Sequence, residues 1–177
     1  MRIISGKYRG LKLNEFDGNA VRPTADRVKE SLFNILYGKV AGVRVLDLFC
    51  GSGNLGIESL SRGAEFVHFN DISKDSVKLL KSNLSKLKEE NYRITNADFK
   101  TCLSSAGAFD IIFIDPPYKL EAGIEALKLI GANGLLSADG VAVFERDRAF
   151  EGEIAGLKAF DERRYGKTFL TFFEVAK

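Results

Sequence analysis

Val45-Leu46-Asp47-Leu48-Phe49-Cys50-Gly51-Ser52-Gly53-Asn54-Leu55-Gly56 decides the fold. The apolar run Val43–Phe49 reads as a buried strand, the glycines as a tight turn, and Leu55–Ser61 as a helix. Gly51 and Gly53 let the backbone approach a ligand that a Cβ would block. Gly51, Gly53 and Gly56 spell G-x-G-x-x-G, and the acidic Asp71 follows twenty residues after Gly51. That is where a dinucleotide fingerprint places its ribose acceptor. Taken alone, the stretch suits NAD as well as any other adenosine cofactor.

The same alternation continues on both sides. Pro23 and Thr24 supply helix-start chemistry, and Val28, Leu32, Ile35 and Leu36 repeat at helical spacing until Gly38. After the glycine motif the chain reads as strand Phe66–Phe69, helix Ser73–Leu87, strands Tyr92–Thr95 and Phe109–Ile114, helix Ile124–Ile130 and strand Val141–Phe144. Strand–helix alternation with continuous apolar strands predicts an α/β fold, its parallel sheet covered on both faces. The ending differs. Leu157–Arg164 and Thr168–Val175 are strand-like, and Tyr165–Lys167 between them cannot hold a crossover helix, so these two strands are expected to be antiparallel. Residues 2–5 and 9–13 read as a small hairpin.

Composition excludes several classes. A chain of 177 residues, 45% hydrophobic and 11% aromatic, is long and apolar enough for one packed domain, 1–177. No apolar run approaches a membrane span, and Met1–Gly10 has no hydrophobic signal region. Cys50 and Cys102 lack metal spacing and read as reduced thiols of a cytoplasmic protein. With His68 the one histidine, no histidine metal site or triad is expected, and His68 reads as a packed or rim residue. The net charge is only +2, but its distribution is uneven: residues 1–44 hold nine Lys or Arg against four Asp or Glu. A basic extension, 1–42, on a mildly acidic core, 43–177, hints at an anionic partner. Arg2, Lys7, Arg9 and Lys12, interleaved with Tyr8, have the basic and aromatic character of a nucleic-acid contact.

Two details favour S-adenosylmethionine over NAD. Asp47 stands on the strand before the glycines, where a carboxylate would repel a pyrophosphate but attract a sulfonium cofactor with its α-ammonium group. The second is Asp115-Pro116-Pro117-Tyr118, which ends the strand Phe109–Ile114. Ligands of open α/β sheets sit beyond the carboxyl ends of the strands, so both loops open onto one crevice.

Asp-Pro-Pro-Tyr resembles the motif of class I methyltransferases acting on exocyclic amines of nucleobases. Residues 2–10, Arg22-Pro23-Thr24-Ala25-Asp26-Arg27-Val28-Lys29-Glu30, Leu32-Phe33-Asn34 and the glycine motif follow in the same order. Together they resemble the bacterial 16S rRNA guanine-N2 methyltransferases of the RsmD type over nearly the whole chain. Cys50 and Asn54 depart from that pattern, and 146–164 matches loosely. The resemblance implies that Asp71 holds the ribose hydroxyls and Asp98 the adenine amine, with Ile72 or Phe99 covering the ring. It places Phe49, Gly51 and Gly53 along the methionine arm, with Asp47 beneath. Asp98 also stands where a helix N-cap would.

The chemistry of the amine motif is concrete. A base amine is a poor nucleophile because its lone pair is delocalised into the ring. Asp115 and the Pro116 carbonyl can each accept one N–H, Pro117 stiffens the loop, and Tyr118 can stack on an extruded base. Arg22 and Arg27 are further candidate RNA contacts, Arg27 alternatively pairing the cofactor carboxylate. The expected partner is a small-subunit particle, the 30S, rather than naked 16S RNA, acted on by a monomer that needs no metal. An adenine-N6 or cytosine-N4 methyltransferase is the nearest alternative, and a NAD(P)-dependent oxidoreductase the distant one.

Overall fold

A computed structural model describes the fold of residues 1–16, 23–117 and 120–177. Its elements run α1 (Pro23–Ile35), β1 (Arg44–Asp47), α2 (Asn54–Ser61), β2 (Phe66–Asn70), α3 (Lys74–Leu84), β3 (Tyr92–Thr95), α4 (Phe99–Ser104), β4 (Phe109–Ile114), α5 (Leu120–Ala132), β5 (Leu136–Arg146), β6 (Leu157–Tyr165) and β7 (Thr168–Val175). The seven strands form one sheet in the order β3-β2-β1-β4-β5-β7-β6. β1 to β5 pair in parallel, whereas β7 lies antiparallel to both β5 and β6. The mostly parallel α/β sheet with a terminal antiparallel hairpin is the one expected from the alternation and the short Tyr165–Lys167 connection.

Period-two alternation sorts each strand between two apolar layers. Val45, Phe113, Val143 and Phe172 face one way, against Leu32 and Phe33 of α1, Leu36 just beyond it, Ile57 of α2 and Leu80 of α3. Leu46, Ile112, Phe144 and Phe173 face the other, against Cys102 of α4 and Ala126 and Leu127 of α5. The ends of the helices follow local chemistry. Ser73 caps α3 by accepting the Ser76 N–H, and Asp98 caps α4 by accepting the Lys100 N–H. Gly56 is required for packing: a Cβ there would lie 2.2 Å from the Phe69 ring, so α2 can rest on β2 only without one.

Three elements differ from the sequence expectation. α4 is absent from it, since six residues carry too little periodicity to register. β5 begins at Leu136 rather than Val141 and runs through Gly140, whose missing Cβ leaves room beside the Asp110 carbonyl at 2.9 Å. The pairing with β4 slips there, between Phe109 and Ile111. The amino-terminal hairpin reduces to a single bridge, Arg2 to Lys12, around a turned loop. Its stability comes from docking instead: Ile3 and Leu13 are buried in the α1-side core. The backbone of Ile4 and Ser5 donates to the Glu58 carboxylate at 2.9 and 3.0 Å. Gly6 sits so close to the end of α2 that a Cβ would overlap the Ser61 carbonyl.

Candidate active site

The carboxyl ends of β1, β4 and β5 open onto a cavity of about 640 Å³. Register decides what faces it. Asp47 pairs with Phe113, and Ile114 with Phe144, so Asp115 and Glu145 come next on adjacent strands. All three acids belong by alternation to the α1 face. Ala25, Val28, Lys29 and Leu32 of α1 form the opposite wall, Phe49 to Ser52 with Asn54 and Leu55 the floor, and the hairpin turn Tyr165–Thr168 the far rim.

Gly51 and Gly53 adopt positive φ of 52° and 87°, and a Cβ on Gly51 would meet nothing within 4 Å. The turn therefore presents bare backbone to the cavity. Asp71 fixes it from behind, accepting the Gly51 N–H at 2.9 Å and the Ser73 N–H at 2.8 Å. Asp47 is buried and accepts the Gly56 N–H at 2.9 Å.

Acids gathered in one crevice hold their protons to higher pH than free carboxyls do. Burial pushes the Asp47 carboxyl up to about 7; the Gly56 N–H opposes this, and the charges of Asp115 and Asp71 add to it. Asp115 meets solvent through the open mouth, and the protein crowded around it pushes its carboxyl up to about 6. Glu145 is pushed up to about 8, first by burial and then by the Asp115 charge. The cavity thus carries latent negative charge, which a cationic ligand would draw out.

The expected site residues fall into three groups. Asp47, Phe49, Gly51 and Asp115 line the cavity together. Asp71, Ile72, Asp98 and Phe99 lie past its glycine end: Asn96 donates to the Asp71 and Ile72 carbonyls, and the Phe99 ring stands 5.5 Å from that of Phe49. Ile72 is 68% exposed there, an apolar side chain with little covering it. Asp98 is the N-cap of α4 through one carboxylate oxygen, and among the described residues no hydrogen bond engages the other. Tyr118 and Arg22 lie outside the described residues.

Arg27 corrects the expectation that it could reach the cofactor. It lines a separate groove of about 440 Å³ with Arg2, Arg9, Asp26 and Glu30. Two positions along a helix turn the side chain roughly 200°, so Lys29, not Arg27, faces the cavity. Lys29 is 2% exposed; its Nζ donates to the Arg2 carbonyl at 2.6 Å and to Asn54 Oδ1 at 2.7 Å, and pairs with Glu58 at 3.3 Å. Lys7 and Tyr8 are also less free than expected, both bonding to Glu89, at 2.7 and 2.9 Å.

His68 packs as read. It is buried against Thr95 Oγ1 at 3.0 Å and held neutral, its pKa lowered to about 4 by burial, then by Arg93 and Arg44. Burial likewise raises the Cys50 thiol, which rules it out as a ready nucleophile. Lys29, Glu145 and Tyr165–Thr168 went unread. The hairpin could have been placed: a turn leaving a strand parallel to β5 must emerge at the carboxyl edge.

This fold and crevice define a class I methyltransferase. The chain belongs to the family described as Conserved hypothetical protein 95, whose model matches residues 1–174. YlbH of Bacillus subtilis is 38% identical over 98% of both chains. Ribosomal RNA small subunit methyltransferase D of Haemophilus influenzae is 37% identical, over 84% of this chain and 79% of its own. The solved structure of yhhF from Escherichia coli superposes with a TM-score of 0.88 at 30% identity, covering 100% of this chain and 99% of that one.

Proposed function

We propose that this protein transfers a methyl group from S-adenosylmethionine to the N2 amine of a guanine in the 16S RNA of the small ribosomal subunit. It is an rRNA methyltransferase dependent on that cofactor. One observation carries the reading: Asp115, which begins the Asp-Pro-Pro turn, and the glycine turn line the same acid-walled cavity.

The residues fit the cofactor. Bare backbone at Gly51 and buried Asp47 suit a ligand bearing a sulfonium and an ammonium group, and would oppose a pyrophosphate. Asp71 would accept from the ribose hydroxyls, Asp98 from the adenine amine, and Ile72 with Phe99 would cover the ring. When bound, the cofactor supplies an electrophilic methyl group. The protein's part is placement. Asp115 and the Pro116 carbonyl each accept one N–H of the base amine, and this frees the lone pair for attack. Pro117 fixes the two acceptors in advance, and Tyr118 would stack on the extruded base. Ionised, Asp115 can take up the proton released as the amine is methylated.

Arg2, Arg9 and Arg27 share a groove across α1 from the cavity, and with Arg22, Lys7 and Lys12 they are the RNA-facing set of extension 1–42. This surface is small for reading one guanine among many. The preferred substrate is therefore a folded 30S particle, and the enzyme acts in the cytoplasm as a metal-independent monomer on one domain, 1–177. The deciding measurement is labelled methyl transfer to particles from a strain lacking this protein, followed by nucleoside analysis. N2-methylguanosine is expected. N6-methyladenosine or N4-methylcytidine would put the adenine or cytosine alternative in its place, and binding of NADH without S-adenosylhomocysteine would remove the methyltransferase reading.

A further inference from the structure

Asp115 has a neighbour that the amine chemistry does not use. Glu145 follows Phe144 on β5 as Asp115 follows Ile114 on β4, and Ile114 and Phe144 are register partners. Neighbouring strands lie roughly 5 Å apart, and both side chains belong to the face that lines the cavity. Among the described residues, no hydrogen bond or ion pair engages the Glu145 carboxylate, whereas its neighbour Arg146 is tied to Glu162 at 3.2 Å. A second carboxylate therefore stands beside the one that grips the amine.

The bases differ at that position. In guanine the ring nitrogen N1 next to the N2 amine carries a hydrogen and donates. In adenine and cytosine every ring nitrogen next to the amine is an acceptor. An ionised carboxylate only accepts, so it pairs with the guanine edge and meets the lone pair of the other two. We propose that Glu145 is the specificity-determining residue of this site, accepting the N1–H of the target guanine while Asp115 and the Pro116 carbonyl accept from its N2 amine. The inference rests on the guanine reading above. It also accounts for two carboxyls placed where they repel. The charge of Asp115 contributes to the raised affinity of Glu145 for its proton, and the N1–H and N2–H groups of guanine, with a cationic cofactor beside them, take the place of that proton.

The test compares guanine with 2-aminopurine at the target position of 16S RNA, introduced by ligation and assembled into particles, at a pH above 8 where Glu145 is ionised. 2-Aminopurine keeps the N2 amine but carries a lone pair at N1. It also lacks O6, a loss that wild type and variants share, so the comparison of ratios isolates N1. Wild type should favour guanine by roughly 10- to 100-fold more than Glu145→Gln does, the range set by leaving a charged acceptor unpaired. Glu145→Gln should gain on 2-aminopurine because its amide can turn and donate to N1. Glu145→Asp should keep the guanine preference. Each variant is first checked for unchanged S-adenosylhomocysteine affinity, and Glu145→Ala replaces Gln if Gln does not fold. The fluorescence of 2-aminopurine on extrusion gives a binding readout independent of turnover, and it should rise more with Glu145→Gln than with wild type. The same guanine to 2-aminopurine ratio in wild type and the uncharged variant overturns the proposal. Failure of wild type to form N2-methylguanosine on guanine-bearing particles overturns the guanine reading instead.

Discussion

Asp71 accepts from the glycine turn and Asp115 faces the cavity from the next strand, so their substitution should differ in effect. Asp71 holds the turn and would hold the ribose, so Asp71→Ala should weaken S-adenosylhomocysteine binding by about 2–4 kcal/mol, measured by calorimetry. Asp115→Ala should abolish methyl transfer while that binding stays nearly intact; wild-type turnover in this variant would remove its assigned role. The raised affinities of Asp47, Asp115 and Glu145 for protons, up to about 7, 6 and 8, have a defined sign. Folded, these acids keep protons that the unfolded chain releases above about pH 4. Stability should therefore fall as pH rises from about 4 through 8, the reverse of an ion-paired carboxylate. A bound cation offsets that loss. Affinity for S-adenosylmethionine relative to S-adenosylhomocysteine, which lacks the sulfonium charge, should rise between pH 6 and pH 8. A flat ratio would contradict the charge assigned to the cavity.

The amino-terminal loop, α1 and α2 meet at Glu58, which is fully buried and receives Ile4 and Ser5 N–H, Lys29 and Arg62. Two cations here share one carboxylate. Glu58→Gln should cost about 3–5 kcal/mol, because it leaves Lys29 buried without a counter-charge, and the urea midpoint should fall accordingly. Gly56→Ala should cost about 1–3 kcal/mol by pushing α2 off Phe69. At this scale the limits of sequence reading are plain. The strands β1, β2, β4, β6 and β7 could be read because their apolar runs are long or their connections short, and the four-residue β3 because Tyr92, Ile94 and Thr95 favour a strand. The glycine turn and the Asp-Pro-Pro turn could be read because local backbone chemistry makes them. Nothing in the block Arg22–Glu30 singles out Lys29, and only the Arg2 carbonyl, Asn54 and Glu58 around it explain its burial. Glu145 became visible only through the register of β5 on β4, a pairing that no single stretch of sequence encodes. The pairing of the basic hairpin was hidden for the same reason. Its charge pattern is local, but Glu89 takes up Lys7 and Tyr8.

Across the whole molecule, the arginine groove and the cavity lie on opposite sides of α1. Replacing Arg2, Arg9 and Arg27 together by Ala should lower the methylation rate on 30S particles and flatten its dependence on salt, leaving S-adenosylhomocysteine affinity unchanged. Lys7→Ala should change the salt slope much less, since its charge is already matched by Glu89. Initial rates at equal concentration should be higher on assembled particles than on protein-free 16S RNA; equal rates would count against a particle substrate. The strand order carries one more consequence. β7 lies between β5 and β6, although β6 precedes it in the chain. During synthesis, then, β6 emerges with no strand to join, and the rim Tyr165–Thr168 has nothing to lean on until residues 168–175 follow. Asp47, the glycine turn and Asp115 thus all precede in the chain the rim that faces them across the crevice, and that rim depends on the one strand pairing made after it.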